Sequence, residues 1–194
     1  MTPRRSTQER TTRETRVTVA LDLDGEGRAT VATGIGFLDH MLETLARFAR
    51  FDLELTCSGD LRVDDHHSAE DCALALGAAL DSALGERRGI RRFGTAHAPL
   101  DEALARAVVD VSSRPWPQIT LGLVRERLGE IATENLTHFL GSFAMAARLT
   151  VHVDVLRGTN DHHRCEAAFK ALALALRDAL TRDGEAVPST KGVL

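Results

Sequence analysis

Two short stretches, Asp65-His66-His67-Ser68-Ala69-Glu70 and Asp161-His162-His163-Arg164-Cys165-Glu166, hold residue types that bind metal ions, and each opens an apolar run with helical spacing. On a helix, the two histidines and the glutamate of each stretch fall at about 0°, 100° and 40° around the axis. All three point to one side while the imidazoles diverge, so adjacent histidines can serve two different ions with the carboxylate between them. One such cluster is a modest signal, because a histidine at a helix start is most often a cap or a solvated side chain. Here there are two, each with an upstream partner: His40 precedes His66 by 26 residues, and His138 precedes His162 by 24. The set is His40, His66, His67, Glu70, His138, His162, His163 and Glu166. Shared between two ions, it gives each about three nitrogens and one oxygen, and an octahedral ion would keep positions open for catalysis. Such donors fit Mn²⁺, Fe²⁺ or Co²⁺, and affinity alone does not choose among them. No cysteine joins the set at ligand spacing, which disfavours a closed structural zinc site.

His97 and His152 lack this pattern. His152 alternates with Val151 and Val153 on a strand and reads as a surface or interface residue. Cys165 lies inside the second stretch, but its counterpart in the first is Ala69, so it reads as packing. A second group is basic: Arg92, Arg114, Lys170 and Lys191. Each alone reads as a solvated cation. Lys170 differs, because it lies one helical turn after Glu166 on the face of the presumed ligands. A cation beside a metal cluster points to an anionic substrate, and Ser189-Thr190-Lys191 offers hydroxyl and ammonium donors to a phosphate.

These residues need elements to position them. Residues 1–12 are polar and read as a mobile tail, and the arginine-rich Arg4 to Arg16 run as frayed and solvated. Arg16 to Asp22 alternates as a strand. Asp24-Gly25-Glu26-Gly27 is a turn, and Ala29 to Ala32 is a strand that pairs with the first as a hairpin. Phe37 to Phe48 is a helix carrying His40. Phe51 to Leu55 alternates as a strand, Leu61 to Asp64 reads as a short further strand, and His66 to Leu84 is a long helix closed by Gly85. The order then repeats. Ala103 to Val111 and Gln118 to Val124 are strands, Thr133 to Ala147 is a helix with His138, Thr150 to Leu156 is a strand, and His162 to Leu180 is the last helix. A tandem duplication accounts for this. Residues 1–94 form one half-repeat and 95–194 the other, together one compact domain. The expected class is α+β, each half a mixed β-sheet with two α-helices on one face.

Composition sets outer bounds. The 194 residues carry 43% apolar side chains but 4% aromatics, so Leu, Val and Ala must fill the core. A formal charge of −4 gives no basic footprint for nucleic acid. No apolar run is long enough for a bilayer, and no apolar leader opens the chain, so no membrane partner is expected. The cysteines, Cys57, Cys72 and Cys165, suggest no disulfide framework. A reducing cytoplasm is the expected location.

Several segments together resemble the imidazoleglycerol-phosphate dehydratase family of histidine biosynthesis. They are Gly34-Ile35-Gly36-Phe37-Leu38-Asp39-His40-Met41-Leu42, Gly59 to His67, Arg92-Phe93-Gly94, Pro99-Leu100-Asp101-Glu102-Ala103-Leu104, His162 to Lys170, and Pro188-Ser189-Thr190-Lys191-Gly192. The likeness runs from about Arg10 to the last residue. It implies two four-stranded sheets with paired helices, two Mn²⁺ ions per active site, and a twenty-four-subunit homo-oligomer with active sites between subunits. It also implies a hydro-lyase that removes water from imidazole glycerol phosphate to give imidazole acetol phosphate. By position, the eight residues above resemble its metal ligands, and Arg92, Arg114, Lys170, Ser189 and Lys191 its phosphate grip. Glu14 matches a glutamate near the reacting carbons, and we expect it to act as the base. Three positions depart: Thr44 where glutamine is usual, Phe48 where histidine is common, and Ser113 where glycine is usual. The chain is too short for the phosphatase domain fused to some relatives. From the residues alone, two other readings stay open: dinuclear hydrolysis of a phosphate ester, and a metal-stapled assembly protein without turnover.

Overall fold

The structure is a computed structural model that describes residues 3–192 and 194. Its elements are β1 (Arg5–Thr11), β2 (Thr15–Asp22), β3 (Ala29–Ala32), α1 (Gly36–Ala49), β4 (Asp52–Gly59), α2 (His66–Leu84), β5 (Phe93–Leu100), β6 (Ala103–Asp110), β7 (Trp116–Thr120), β8 (Arg127–Leu128), β9 (Ile131–Ala132), α3 (Thr133–Ala146), β10 (Thr150–Arg157) and α4 (Asp161–Ala179). The first sheet has the order β1-β2-β4-β3 and the second β5-β6-β10-β7. In both, the last pair is parallel and the others antiparallel. The two sheets therefore share one topology, with α1 matching α3 and α2 matching α4. The small β8–β9 hairpin interrupts the second half only, and no periodicity announces it.

Four sequence expectations are corrected. The polar segment 1–12 is no mobile tail: Arg5–Thr11 is an edge strand paired with β2, Gln8 opposite Val19, while residues 1 and 2 lie outside the described residues. Polar anchors hold it where an apolar stripe is lacking. Ser6 donates to the Ala79 carbonyl at 2.6 Å, and Arg10 pairs with Asp71 at 2.6 Å. The predicted hairpin of β2 with β3 does not form, because β4 lies between them and pairs with both. Asp52 draws the intervening loop past β4 by accepting from the backbone N–H groups of Glu26 and Arg28. Leu61 to Val63 is a turn rather than a strand. The strand expected over Gln118 to Val124 is Trp116–Thr120, and the chain leaves the sheet through Gly122 at φ 62°. Besides the β8–β9 hairpin, β5 was unread: it turns Gly94 and Ala98 inward, too little apolar surface to register as alternation.

The helices of one half pack on those of the other, α1 on α4 and α2 on α3, with each sheet outside its own pair. Small residues permit the close approach. A Cβ on Gly77 of α2 would meet the Ala146 Cβ and the Phe143 carbonyl oxygen, both at 2.7 Å. On α4, Ala167, Ala168, Ala171, Ala173 and Ala175 are fully buried. Phe139, Phe143 and Phe169 supply the bulk between the layers. This helix layer carries the histidines.

Candidate active site

Each metal-type cluster is built across the halves. His40 of α1 meets His162 and Glu166 of α4, and His138 of α3 meets His66 and Glu70 of α2. In each trio the candidate ligand atoms lie within 4.8 Å of one another. Glu166 Oε2 stands 3.1 Å from His40 Nε2 and 3.2 Å from His162 Nε2. Its other oxygen accepts from Lys170 Nζ at 2.7 Å. Burial alone would raise the Glu166 carboxyl, but the hydrogen bonds from Lys170 and His40 outweigh it and hold the group below the usual carboxylate range. In the other trio, Glu70 Oε1 is 3.1 Å from His138 Nε2, and Glu70 Oε2 is 3.9 Å from His66 Nε2. The His66 and His138 rings stack at 4.9 Å.

Buried polar groups fix the helix starts. Asp65, 5% exposed, accepts from Asn135 Nδ2 at 2.9 Å and from the Ala132 N–H at 2.7 Å. Asn135 Oδ1 in turn faces His66 Nδ1 at 2.9 Å, which leaves Nε2 for the cluster. Asp161, 3% exposed, accepts from the Val124 and Arg125 N–H groups. Asn160 caps α4 by accepting from the His162 N–H. Sequence reading missed the two aspartates as anchors, because their partners lie far along the chain.

The predicted set of eight is not gathered in one place. His67 and His163 turn away from both trios. His67 Nδ1 lies 3.2 Å from Asp60, and its Nε2 is 3.7 Å from Glu14. His163 Nδ1 lies 2.7 Å from Glu102, and its Nε2 is 3.8 Å from Asp101. The Asp60 carboxylate raises the His67 imidazole above its ordinary value, and Glu102 does the same for His163. The divergence expected on a helix therefore holds, and one chain offers each cluster two nitrogens and one oxygen.

The basic group divides as well. Arg92 makes two contacts to Asp110, at 2.7 and 3.2 Å, and donates to the Pro188 carbonyl at 2.9 Å. Arg114 reaches the same carboxylate at 3.7 Å. Asp110 thus gathers both arginines, and Pro188 brings the segment with Ser189 and Lys191 to them. The stretch ends at Val193, outside the described residues, and Leu194. Lys170 goes instead to Glu166, with its ammonium 5.5 Å from the Phe48 ring centre. Thr44 is buried, His97 and His152 are exposed, and Cys165 is fully buried against Met41.

A family match decides what this arrangement belongs to: the family described as imidazoleglycerol-phosphate dehydratase covers residues 33–176. The chain belongs to the imidazoleglycerol-phosphate dehydratase family. It is 63% identical over 186 residues to the imidazoleglycerol-phosphate dehydratase of Phytophthora nicotianae, covering 95% of this chain but 41% of that longer protein. With the Candida glabrata imidazoleglycerol-phosphate dehydratase the identity is 56%, covering 95% of this chain and 97% of the relative. Two crystal structures share the fold at a TM-score of 0.83. One is the Staphylococcus aureus dehydratase, 35% identical, covering 92% of this chain and 99% of that one. The other is from Pyrococcus furiosus, 38% identical, covering 96% and 100%. The two four-stranded sheets with paired helices are thus the architecture of imidazoleglycerol-phosphate dehydratases.

Proposed function

We propose that this chain is a hydro-lyase of L-histidine biosynthesis that removes water from imidazole glycerol phosphate to give imidazole acetol phosphate. The observation that carries the reading is the pair of crossed His-His-Glu trios in a chain of this family. The donor chemistry of each trio, two imidazoles and a carboxylate with room for further ligands, fits Mn²⁺, with Fe²⁺ or Co²⁺ as substitutes. We assign two Mn²⁺ per active site.

The carbon that loses its proton has no neighbouring carbonyl, so a base alone is too weak and the substrate's own ring must drive the elimination. Two bound divalent ions would supply Lewis acidity to the substrate's ring, favouring departure of the C3 hydroxyl, which with the C2 proton makes up the eliminated water and leaves an enol that tautomerises to the ketone. His40, His162 and Glu166 would hold one ion, and His66, Glu70 and His138 the other. Glu14 takes the C2 proton, as a carboxylate beside the outward face of His67. Arg92, Arg114, Ser189 and Lys191 grip the phosphate and set the ring in register. Lys170 balances the charge of Glu166.

The active sites lie between subunits of a large homo-oligomer, twenty-four by resemblance. His67 and His163 of one chain complete the ligand sets begun by its neighbours. Two facts support this: those imidazoles face away from their own chain's trios, and large apolar side chains are exposed, with Phe93 58%, Trp116 62% and Val124 84% accessible. Cys57, Cys72 and Cys165 are free thiols, which supports a reducing cytoplasm. No helix among the described residues is long and apolar enough to cross a membrane.

Incubating Mn²⁺-loaded protein with imidazole glycerol phosphate tests the reaction. The expected product is a ketone with its phosphate ester intact. Release of inorganic phosphate without ketone would replace dehydration by hydrolysis, and no turnover in any metal state would leave only a stapling role.

A further inference from the structure

His67 and His163 each meet a carboxylate on the ring nitrogen that faces back into their own chain. Both Asp60 oxygens lie 3.2 Å from His67 Nδ1, and Glu102 Oε2 lies 2.7 Å from His163 Nδ1. The duplication does not copy this feature. Asp60 follows the end of β4, whereas Glu102 sits in the turn between β5 and β6. Two unrelated loops thus deliver the same contact to equivalent histidines.

Glu102 is itself held in place. Its Oε1 accepts from the Asn160 N–H at 2.8 Å and the Thr159 N–H at 3.0 Å, tying the β5–β6 turn to the start of α4. The Asp60 carboxylate has no other hydrogen-bond partner among the described residues. A carboxylate at Nδ1 selects the tautomer with the proton on that nitrogen, stops the ring from flipping, and leaves the Nε2 lone pair bare. The carboxylates nearest Nε2, Glu14 at 3.7 Å and Asp101 at 3.8 Å, are too far to be hydrogen-bonded to it. Both side chains are part-exposed, 30% for His67 and 27% for His163, so these nitrogens stand without a hydrogen-bonded carboxylate near the surface. Inside the trios, His66 has the neutral amide of Asn135 at the equivalent nitrogen, so the charged device is kept for the outward pair.

We propose that Asp60 and Glu102 are positioning residues that hold His67 and His163 with Nε2 free to ligate a divalent ion at the edge of the chain. The inference rests on the reading that these two histidines bind metal. Glu102→Gln is a sharp probe. The amide oxygen can keep the Thr159 and Asn160 bonds, while its NH₂ opposite Nδ1 favours the opposite tautomer, with the proton on Nε2. Asp60→Asn makes the same change where no backbone bond is at stake.

Mn²⁺ affinity, measured by the electron paramagnetic resonance of free Mn²⁺ in titrations of the full-length protein, is the readout, with thermal melting of each variant alongside. Both amide variants are expected to melt near wild type and to bind Mn²⁺ about 10–100-fold more weakly, and Glu102→Asp to recover part of the loss. Wild-type affinity in Glu102→Gln and Asp60→Asn, while His67→Ala and His163→Ala lose binding, would overturn the positioning role and leave the ligand reading intact. Undiminished binding in the alanine variants would overturn the ligand reading itself. If Glu102→Gln fails to fold, Asp60→Asn against His67→Ala decides the matter alone.

Discussion

What divides the histidines is not their exposure but what holds their second nitrogen. His97 stands on the outer face of β5, exposed and remote from both trios, although it belongs to the same sheet as Glu102's turn. His67 is tethered at Nδ1 and aims Nε2 outward beside Glu14. His67→Ala is therefore expected to abolish dehydratase turnover, a loss beyond about a thousandfold if the residue is a metal ligand, while His97→Ala stays within about twofold of wild type. Steady-state rates with saturating Mn²⁺ check this, and comparable losses in the two variants would undo the division. Phe48 offers a second lesson about single positions. It places an aromatic ring beside the Lys170 ammonium, which already pairs with Glu166.

Among the elements, the turn from β6 to β7 holds a residue in a costly backbone conformation. Ser113 sits at φ 58°, in the left-handed region that glycine enters freely and a residue with a Cβ does not. The same turn sets Arg114, whose N–H approaches Ser112 Oγ at 3.3 Å and whose side chain shares Asp110 with Arg92. Ser113→Gly is expected to stabilise the fold by about 0.5–1 kcal/mol, relief of the Cβ clash exceeding the added freedom of the unfolded chain. Denaturant unfolding checks the sign, and a loss of stability would show that the Ser113 side chain contributes more than its backbone strain costs. The β5 strand carries the opposite constraint. A Cβ on Gly94 would come within 2.0 Å of the Ala175 carbonyl oxygen, so that strand lies against α4 only because glycine is there.

For the whole molecule, the halves are interdependent rather than merely adjacent. Neither half holds a complete trio, since α1 must lie on α4 and α2 on α3 before the donors meet. On the proposed reading, His67 and His163 would extend that logic beyond one chain. If metal is shared at subunit boundaries, binding free energy becomes assembly free energy. Chelation is then expected to shift the particle to smaller species in sizing with light scattering, and readdition of Mn²⁺ to restore it. A particle unchanged by chelator would separate metal binding from assembly.

Six of the eight predicted donors meet in trios, and their pairing along each helix was legible because helical periodicity is local: His66 and Glu70 lie one turn apart on α2 whatever surrounds it. The duplication was legible too, in the matched spacing of His40 with His66 and of His138 with His162. The edge strand β1 was not, because polar bonds to α2 hold it rather than an apolar stripe. Nor was the parallel pairing of β3 with β4, which depends on a non-local register. Which donors share an ion, and which face outward, was decided only by tertiary structure. Helix packing across the halves brings His40 to Glu166, and loops distant in sequence bring Asp60 and Glu102 to their imidazoles. Contacts between residues as far apart as Glu102 and His163 leave no periodic trace in the chain, since nothing local constrains either partner to expect the other.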